Sequence, residues 1–246
     1  MTEGIGGDRD TAPEDFHYEP HHDAVGGRLN WLRAGVLGAN DGLISTAGIV
    51  IGVAAATGDS SAILTAGIAG LVAGAVSMAL GEYVSVSTQR DSEKALIAKE
   101  RTELTEEPDA EFAELEALYI DKGLTPETAK QVAIELTAHD PLQAHLDAEL
   151  GIDEQTLTSP IAAAVSSAIS FSVGAAIPIL ASLIEPNRIL WIVLSVVIGL
   201  GLTGYTSAVL GGSDPKRATA RVVVGGLVAM AITYAVGKLL GTTGIA

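Results

Sequence analysis

The stretch Gly74-Ala-Val-Ser-Met-Ala-Leu-Gly-Glu-Tyr-Val-Ser-Val-Ser runs directly into Thr88-Gln-Arg-Asp-Ser-Glu-Lys-Ala-Leu-Ile-Ala-Lys-Glu-Arg-Thr-Glu-Leu104. The first half is apolar enough for the interior of a bilayer. The second half is charged enough for water. Neither a proline nor a cluster of turn residues separates them, so the stretch reads as one helix that starts in lipid and ends in solvent. It carries Met78 and Glu82 one turn apart in its apolar half, and Glu100 and Glu103 at its wet end.

Apolar sequence lies on both sides of this helix. The 246 residues have a mean hydropathy of +0.38 and a formal net charge of −16. Neither figure describes the chain uniformly. Residues 33–88 and 159–240 are dominated by Ala, Gly, Val, Ile, Leu and Ser, whereas residues 89–158 hold eighteen acids against six bases. That balance argues against a basic nucleic-acid-binding face. The absence of Cys excludes disulfides, thiolate metal sites and cysteine nucleophiles. Catalytic triads, a P-loop and a dinucleotide fingerprint are also missing, and the glycines sit in apolar helices, where they serve close packing. An enzyme is therefore not expected.

Five apolar segments are long enough to cross a hydrocarbon core of about 30 Å, which takes about 20 residues. They run over 33–56, 63–87, 160–183, 189–210 and 218–240, with Asn30 expected to cap the first. The first segment is expected to be an uncleaved membrane helix, because residues 1–27 are acidic and lack the basic and apolar regions of a signal peptide. With the N-terminus in the cytoplasm, the inner flanks hold Arg28, Arg33, Arg90, Lys94, Lys99, Arg101, Lys216, Arg217 and Arg221. The outer flanks hold Arg188 and Lys238. This asymmetry satisfies the positive-inside rule, and places the acidic segment inside and the C-terminus outside.

The expected fold is an all-α membrane protein. Five transmembrane helices carry a cytosolic three-helix metal-binding domain inserted between helices 2 and 3. The expected divisions are an acidic tail at 1–27, helices 1–2 at 28–88, the acidic domain at 89–158, and helices 3–5 at 159–246.

Within the apolar part, Asp41 is an ionisable residue at membrane depth. Such a residue costs about 2.5–3.5 kcal/mol on insertion scales and normally faces a bundle interior or a water path. Met78 and Glu82, at i and i+4, share a helix face. A thioether beside a carboxylate suits a borderline divalent ion such as Fe²⁺ better than Mg²⁺ or Ca²⁺. In the acidic segment, Glu100/Glu103 and Glu111/Glu114 are i, i+3 pairs on consecutive helical pieces, separated by a break at Pro108. His145 and Glu149, at i, i+4, form a third face. Glu106, Glu107, Glu135 and Asp153 read as ordinary solvated charge. In the tail, His17, His21 and His22 with Glu19 and Asp23 could ligate a metal, although a solvated tail is the simpler reading.

Three stretches together resemble the vacuolar iron transporter family: Leu32-Arg-Ala-Gly-Val-Leu-Gly-Ala-Asn-Asp-Gly-Leu-Ile-Ser, Gly74 through Asp91, and Val224-Gly-Gly-Leu-Val-Ala-Met-Ala-Ile-Thr-Tyr. The resemblance implies a homodimer of five-span protomers that moves Fe²⁺, and often Mn²⁺, out of the cytosol in exchange for protons. By motif position it implies that Asp41 and Met78 are membrane metal-site residues. It likewise implies that Glu100, Glu103, Glu111, Glu114 and Glu149 belong to a cytosolic binding domain. Well-known plant members carry a Met pair before the last of these glutamates, where this chain has His145 and Leu146. That exchange brings Zn²⁺ and Co²⁺ into consideration beside Fe²⁺. The compact loops point to a prokaryotic plasma membrane. A membrane-anchored metal buffer or sensor, binding without transport, is the alternative.

Overall fold

A computed structural model describes residues 25–152 and 157–243, with side chains described from residue 34 onward. All its regular elements are helical: α1 Val25–Ala56, α2 Ser60–Glu106, α3 Pro108–Asp121, α4 Pro126–His139, α5 Pro141–His145, α6 Pro160–Ala181, α7 Arg188–Leu210 and α8 Pro215–Thr242. A π-helical turn, Leu146–Leu150, continues α5. The tail histidines His17, His21 and His22 lie outside the described residues.

The helix boundaries follow from local chemistry. The Asp59 carboxylate accepts a hydrogen bond from the Ser61 N–H at 2.9 Å and caps α2. Proline occupies the first turn of α3, α4, α5, α6 and α8, where its missing N–H costs nothing. Thr125, Asp140, Ser159 and Asp214 cap the last four of these through their side-chain oxygens. One expectation fails: α1 begins at Val25, so Asn30 lies inside the helix rather than capping it. The chain has no proline between Pro20 and Pro108 to stop the helix from extending back past Asn30.

Among the described residues, five helices are long and apolar enough to cross a membrane: residues 34–56 of α1, the apolar part of α2, and α6, α7 and α8. The 47-residue α2 does not break where its composition changes. At 1.5 Å per residue it spans about 70 Å, roughly twice the thickness of a hydrocarbon core.

α1 is the centre of the bundle, packed between α6, α7 and α8. Leu43, Ala47, Val50 and Ile51 of α1 meet Ile63 of α2, Ile179 of α6, Ile192, Val196 and Leu200 of α7, and Met230 of α8. Small residues set the helix separations. A Cβ at Gly42 would overlap the Phe171 carbonyl oxygen, and one at Gly174 would overlap the Ala39 carbonyl oxygen, so α1 and α6 touch backbone to backbone. The charged segment has its own small core, in which Leu115 of α3, Ala133 of α4 and Ala144 of α5 pack with Phe112, Tyr119, Leu136 and Ala148.

Candidate metal centre

Three different elements each send one ligand-bearing side chain to a common point. Ile97, buried on α2, fixes the helix face that turns toward α3 and α5, and Glu100 lies on that face one turn further on. Leu115, fully buried on α3, brings Glu111 inward one turn earlier. His145 is the last residue of α5, held between buried Ala144 and Leu146. The His145 Nδ1 lies 3.0 Å from Glu100 Oε1 and 3.5 Å from Glu111 Oε2.

Burial here is deep for ionisable groups: His145 is 1% exposed, Glu100 5% and Glu111 7%. Despite the short separation, neither Glu100 Oε1 nor His145 Nδ1 makes a hydrogen bond of acceptable geometry. Buried polar atoms without partners are rare and call for an explanation. Lone pairs of two carboxylates and an imidazole converging on one point are the donor set of a divalent cation. Among the described residues, this trio is a group of metal-type ligands whose donor atoms lie within 4.8 Å of one another.

Electrostatics give the same picture. Burial, reinforced by the charges of Glu149, Glu111 and Glu103, raises the Glu100 carboxyl from 4.5 to about 7. Burial, then the neighbouring Glu114, raises Glu111 as well. Repulsion and desolvation therefore disfavour two charged carboxylates here unless a cation joins them. Lys99 offers no such relief, because its ammonium bonds Glu103 at 2.6 Å on the exposed side of α2.

Each expected pair in the acidic segment thus splits. Glu100, Glu111 and His145 turn inward. Glu103 is half-buried and paired with Lys99, while Glu114 and Glu149 are exposed. Glu149 lies on the π turn that starts immediately after His145, exposed but near enough for its charge to raise the Glu100 carboxyl. The turn ends at Gly151, with φ +60°, and the Lys122 ammonium holds the Ala148 carbonyl at 2.8 Å. Nothing in the sequence pattern announces this turn. Glu106, Glu107 and Glu135 are exposed, as expected for solvated charge.

In the apolar bundle, Met78 and Glu82 are half-buried, and Asp41 is exposed on the isolated protomer. Its neighbours on α1 are fixed. Asn40 Oδ1 accepts a hydrogen bond from the Thr203 hydroxyl of α7 at 2.5 Å, and Gly42 is pressed onto α6. Asp41, between them, points away from the bundle core. The Asn40–Thr203 bond was missed by sequence reasoning, although a polar residue next to Asp41 was its available signal. A groove of about 710 Å³ between α1 and α8 is almost wholly apolar, lined by residues such as Ile44, Gly48, Val53 and Val236, and holds none of the candidate ligands.

The chain matches the VIT family model over residues 32–238, from the start of the first apolar segment to the last. The chain belongs to the VIT family. It is 42% identical to a protein named vacuolar iron transporter from Acanthamoeba castellanii, over 229 residues, 91% of this chain and 84% of that one. It is 40% identical to vacuolar iron transporter homolog 1 of Oryza sativa subsp. japonica, over 89% of this chain and 77% of the relative. It is 36% identical to vacuolar iron transporter homolog 2 of Arabidopsis thaliana, over 89% and 88%. Within this VIT family chain, the matched span contains Asp41, Met78, Glu82 and the whole Glu100–Glu111–His145 trio.

Proposed function

We propose that the protein is a proton-coupled transporter that moves Fe²⁺, and also Mn²⁺, out of the cytosol. The observation that carries this reading is the continuity of α2: one unbroken helix holds Met78 and Glu82 in its apolar part and Glu100 of the buried trio at its charged end. Family membership and the names of its relatives as iron transporters support iron as cargo.

In this reading the acidic segment lies in the cytosol, which the basic flanks support. Half-buried Glu103 and exposed Glu114 and Glu149 concentrate cations around the mouth of the buried trio, and Glu100, Glu111 and His145 hold one. The ion then leaves the trio, crosses the intervening stretch through solvent and is taken up at Met78, Glu82 and Asp41. Carboxylates bind a metal when deprotonated and release it when protonated, so protons from the far side displace the ion and supply the driving force. No nucleotide-binding loop is present to supply it otherwise.

Asp41 also supports a homodimer. A carboxylate exposed to lipid is costly. The outward face of α2 carries an exposed apolar row, Ile68, Val72, Val76 and Leu80. A second protomer against these surfaces places Asp41 in a polar path between the two copies. The membrane that houses this dimer is a prokaryotic plasma membrane in this reading.

The test is Fe²⁺ and Mn²⁺ uptake into proteoliposomes of known orientation, with and without a pH gradient. Uptake that follows the gradient supports exchange. Tight binding with no uptake under any gradient would leave a membrane-anchored buffer or sensor as the function.

A further inference from the structure

We propose that His145 determines the metal selectivity of the α2–α3–α5 centre, its Nδ1 serving as a direct ligand that favours Zn²⁺, Co²⁺ and Fe²⁺ over Mn²⁺. This inference rests on the reading of Glu100, Glu111 and His145 as a metal centre, and deepens it.

A buried histidine is often a structural hydrogen-bond donor, and that alternative makes a specific demand. Its N–H must point at an acceptor. Here Nδ1 lies within 3.5 Å of carboxylate oxygens on two helices and yet makes no acceptable hydrogen bond, and Glu100 Oε1 opposite it is equally unpartnered. The two atoms face each other as two lone-pair donors do around a shared cation. The ring has little freedom to turn away, since His145 is 1% exposed and its neighbours Ala144 and Leu146 are buried.

The chemistry of this donor set sorts the ions. Ca²⁺ takes six to eight oxygen ligands and Mg²⁺ prefers oxygens with several retained waters, so a site with a nitrogen and two carboxylates favours neither. Imidazole suits Zn²⁺, Fe²⁺ and Co²⁺, whereas Mn²⁺ is served as well by oxygen alone, and divalent affinities at nitrogen-containing sites rise from Mn²⁺ through Fe²⁺ to Co²⁺. The nitrogen therefore adds to the binding of every ion, but least to that of Mn²⁺. Three protein ligands also leave coordination positions open, unlike the closed four-ligand arrangement of structural zinc sites. An open position lets an incoming ligand take the ion away, as a loading site requires.

The experiment uses the full chain, purified in detergent and stripped of metal. Mn²⁺ is added first, and pulsed electron paramagnetic resonance reads nitrogen coupling to the bound ion. Zn²⁺ and Co²⁺ are then titrated in competition against Mn²⁺, for the wild type, His145→Gln and the control His139→Gln on exposed α4. The expected result is ¹⁴N coupling in the wild type and in His139→Gln, absent in His145→Gln, with the preference for Zn²⁺ over Mn²⁺ reduced at least about tenfold in His145→Gln. Bound Mn²⁺ without nitrogen coupling in the wild type overturns the role of His145 while leaving a carboxylate centre in place. So does coupling that persists in His145→Gln, which would put the nitrogen on another residue. Failure of the wild type to bind any of the three ions overturns the metal centre itself. Should His145→Gln fold poorly, a variant combining His17→Gln, His21→Gln, His22→Gln and His139→Gln decides: nitrogen coupling retained in it supports His145, and coupling lost in it overturns its role.

Discussion

His145 Nδ1 and Glu100 Oε1 lie 3.0 Å apart at the junction of α5 and α2, both buried and neither hydrogen-bonded. Helices far apart in sequence are thus brought together around two carboxylates and an imidazole whose donor atoms converge on one point. A cation bound there adds its binding energy to the stability of this junction.

Inward and outward carboxylates should therefore respond differently to the same chemical change. Glu100→Gln and Glu111→Gln are each expected to lower Fe²⁺ and Zn²⁺ affinity of the centre at least about tenfold, about 1.4 kcal/mol. Glu114→Gln, on the exposed side of α3, is expected to change affinity by less than that and to lose its small effect in high salt. Isothermal titration on the detergent-solubilised chain separates the two classes.

The raised Glu100 carboxyl makes a signed prediction about pH. Its folded value of about 7 lies above the ordinary 4.5, so the fold favours the neutral form. That contribution to stability is fully present below about pH 4.5 and is lost as pH rises through 7. Glu111 shifts in the same direction. In the ion-free protein, hydrogen exchange across residues 108–150 should become faster between pH 5 and pH 8 by more than the intrinsic chemical rate. Saturating Zn²⁺ should reverse this at pH 8 and have little effect at pH 5, where protons hold the carboxyls.

Asp41 and the buried trio can be uncoupled. Asp41→Asn is expected to abolish pH-gradient-driven Fe²⁺ uptake in proteoliposomes while leaving equilibrium binding at Glu100, Glu111 and His145 unchanged within about twofold. Uptake at the wild-type rate would remove Asp41 from the path.

The backbone contact between α1 and α6 has no room for a side chain. Gly174→Val is expected to destabilise the bundle by about 1–3 kcal/mol or more, because a Cβ there meets the Ala39 carbonyl and the helices must separate. Gly201→Ala, where a Cβ meets open space, is the control and is expected to be neutral. Thermal melting in detergent, followed by tryptophan fluorescence, distinguishes them.

Much of this was legible in the sequence because the bilayer imposes a strong pattern. Apolar length fixed five spans, and the lack of any break between Ser87 and Thr88 identified the long α2. The buried trio was only half legible. Spacing put Glu100 with Glu103 and Glu111 with Glu114, but which member turns inward depends on the apolar neighbour one turn away, Ile97 for Glu100 and Leu115 for Glu111. His145 and Glu149 were assigned to one face on the assumption of α-helical periodicity. The structure has a π turn there, its Ala148 carbonyl accepting a bond from the Lys122 ammonium, and Glu149 on it is exposed while His145 is buried.

The length of α2 has a mechanical consequence. Along the helix, Met78 and Glu100 are separated by 22 residues, about 33 Å, too far for an ion to be passed directly between them. The same rod converts small angles into large displacements. A tilt of about 5° about its charged end shifts the Met78 end by about 3 Å, comparable to the width of an ion-coordination shell.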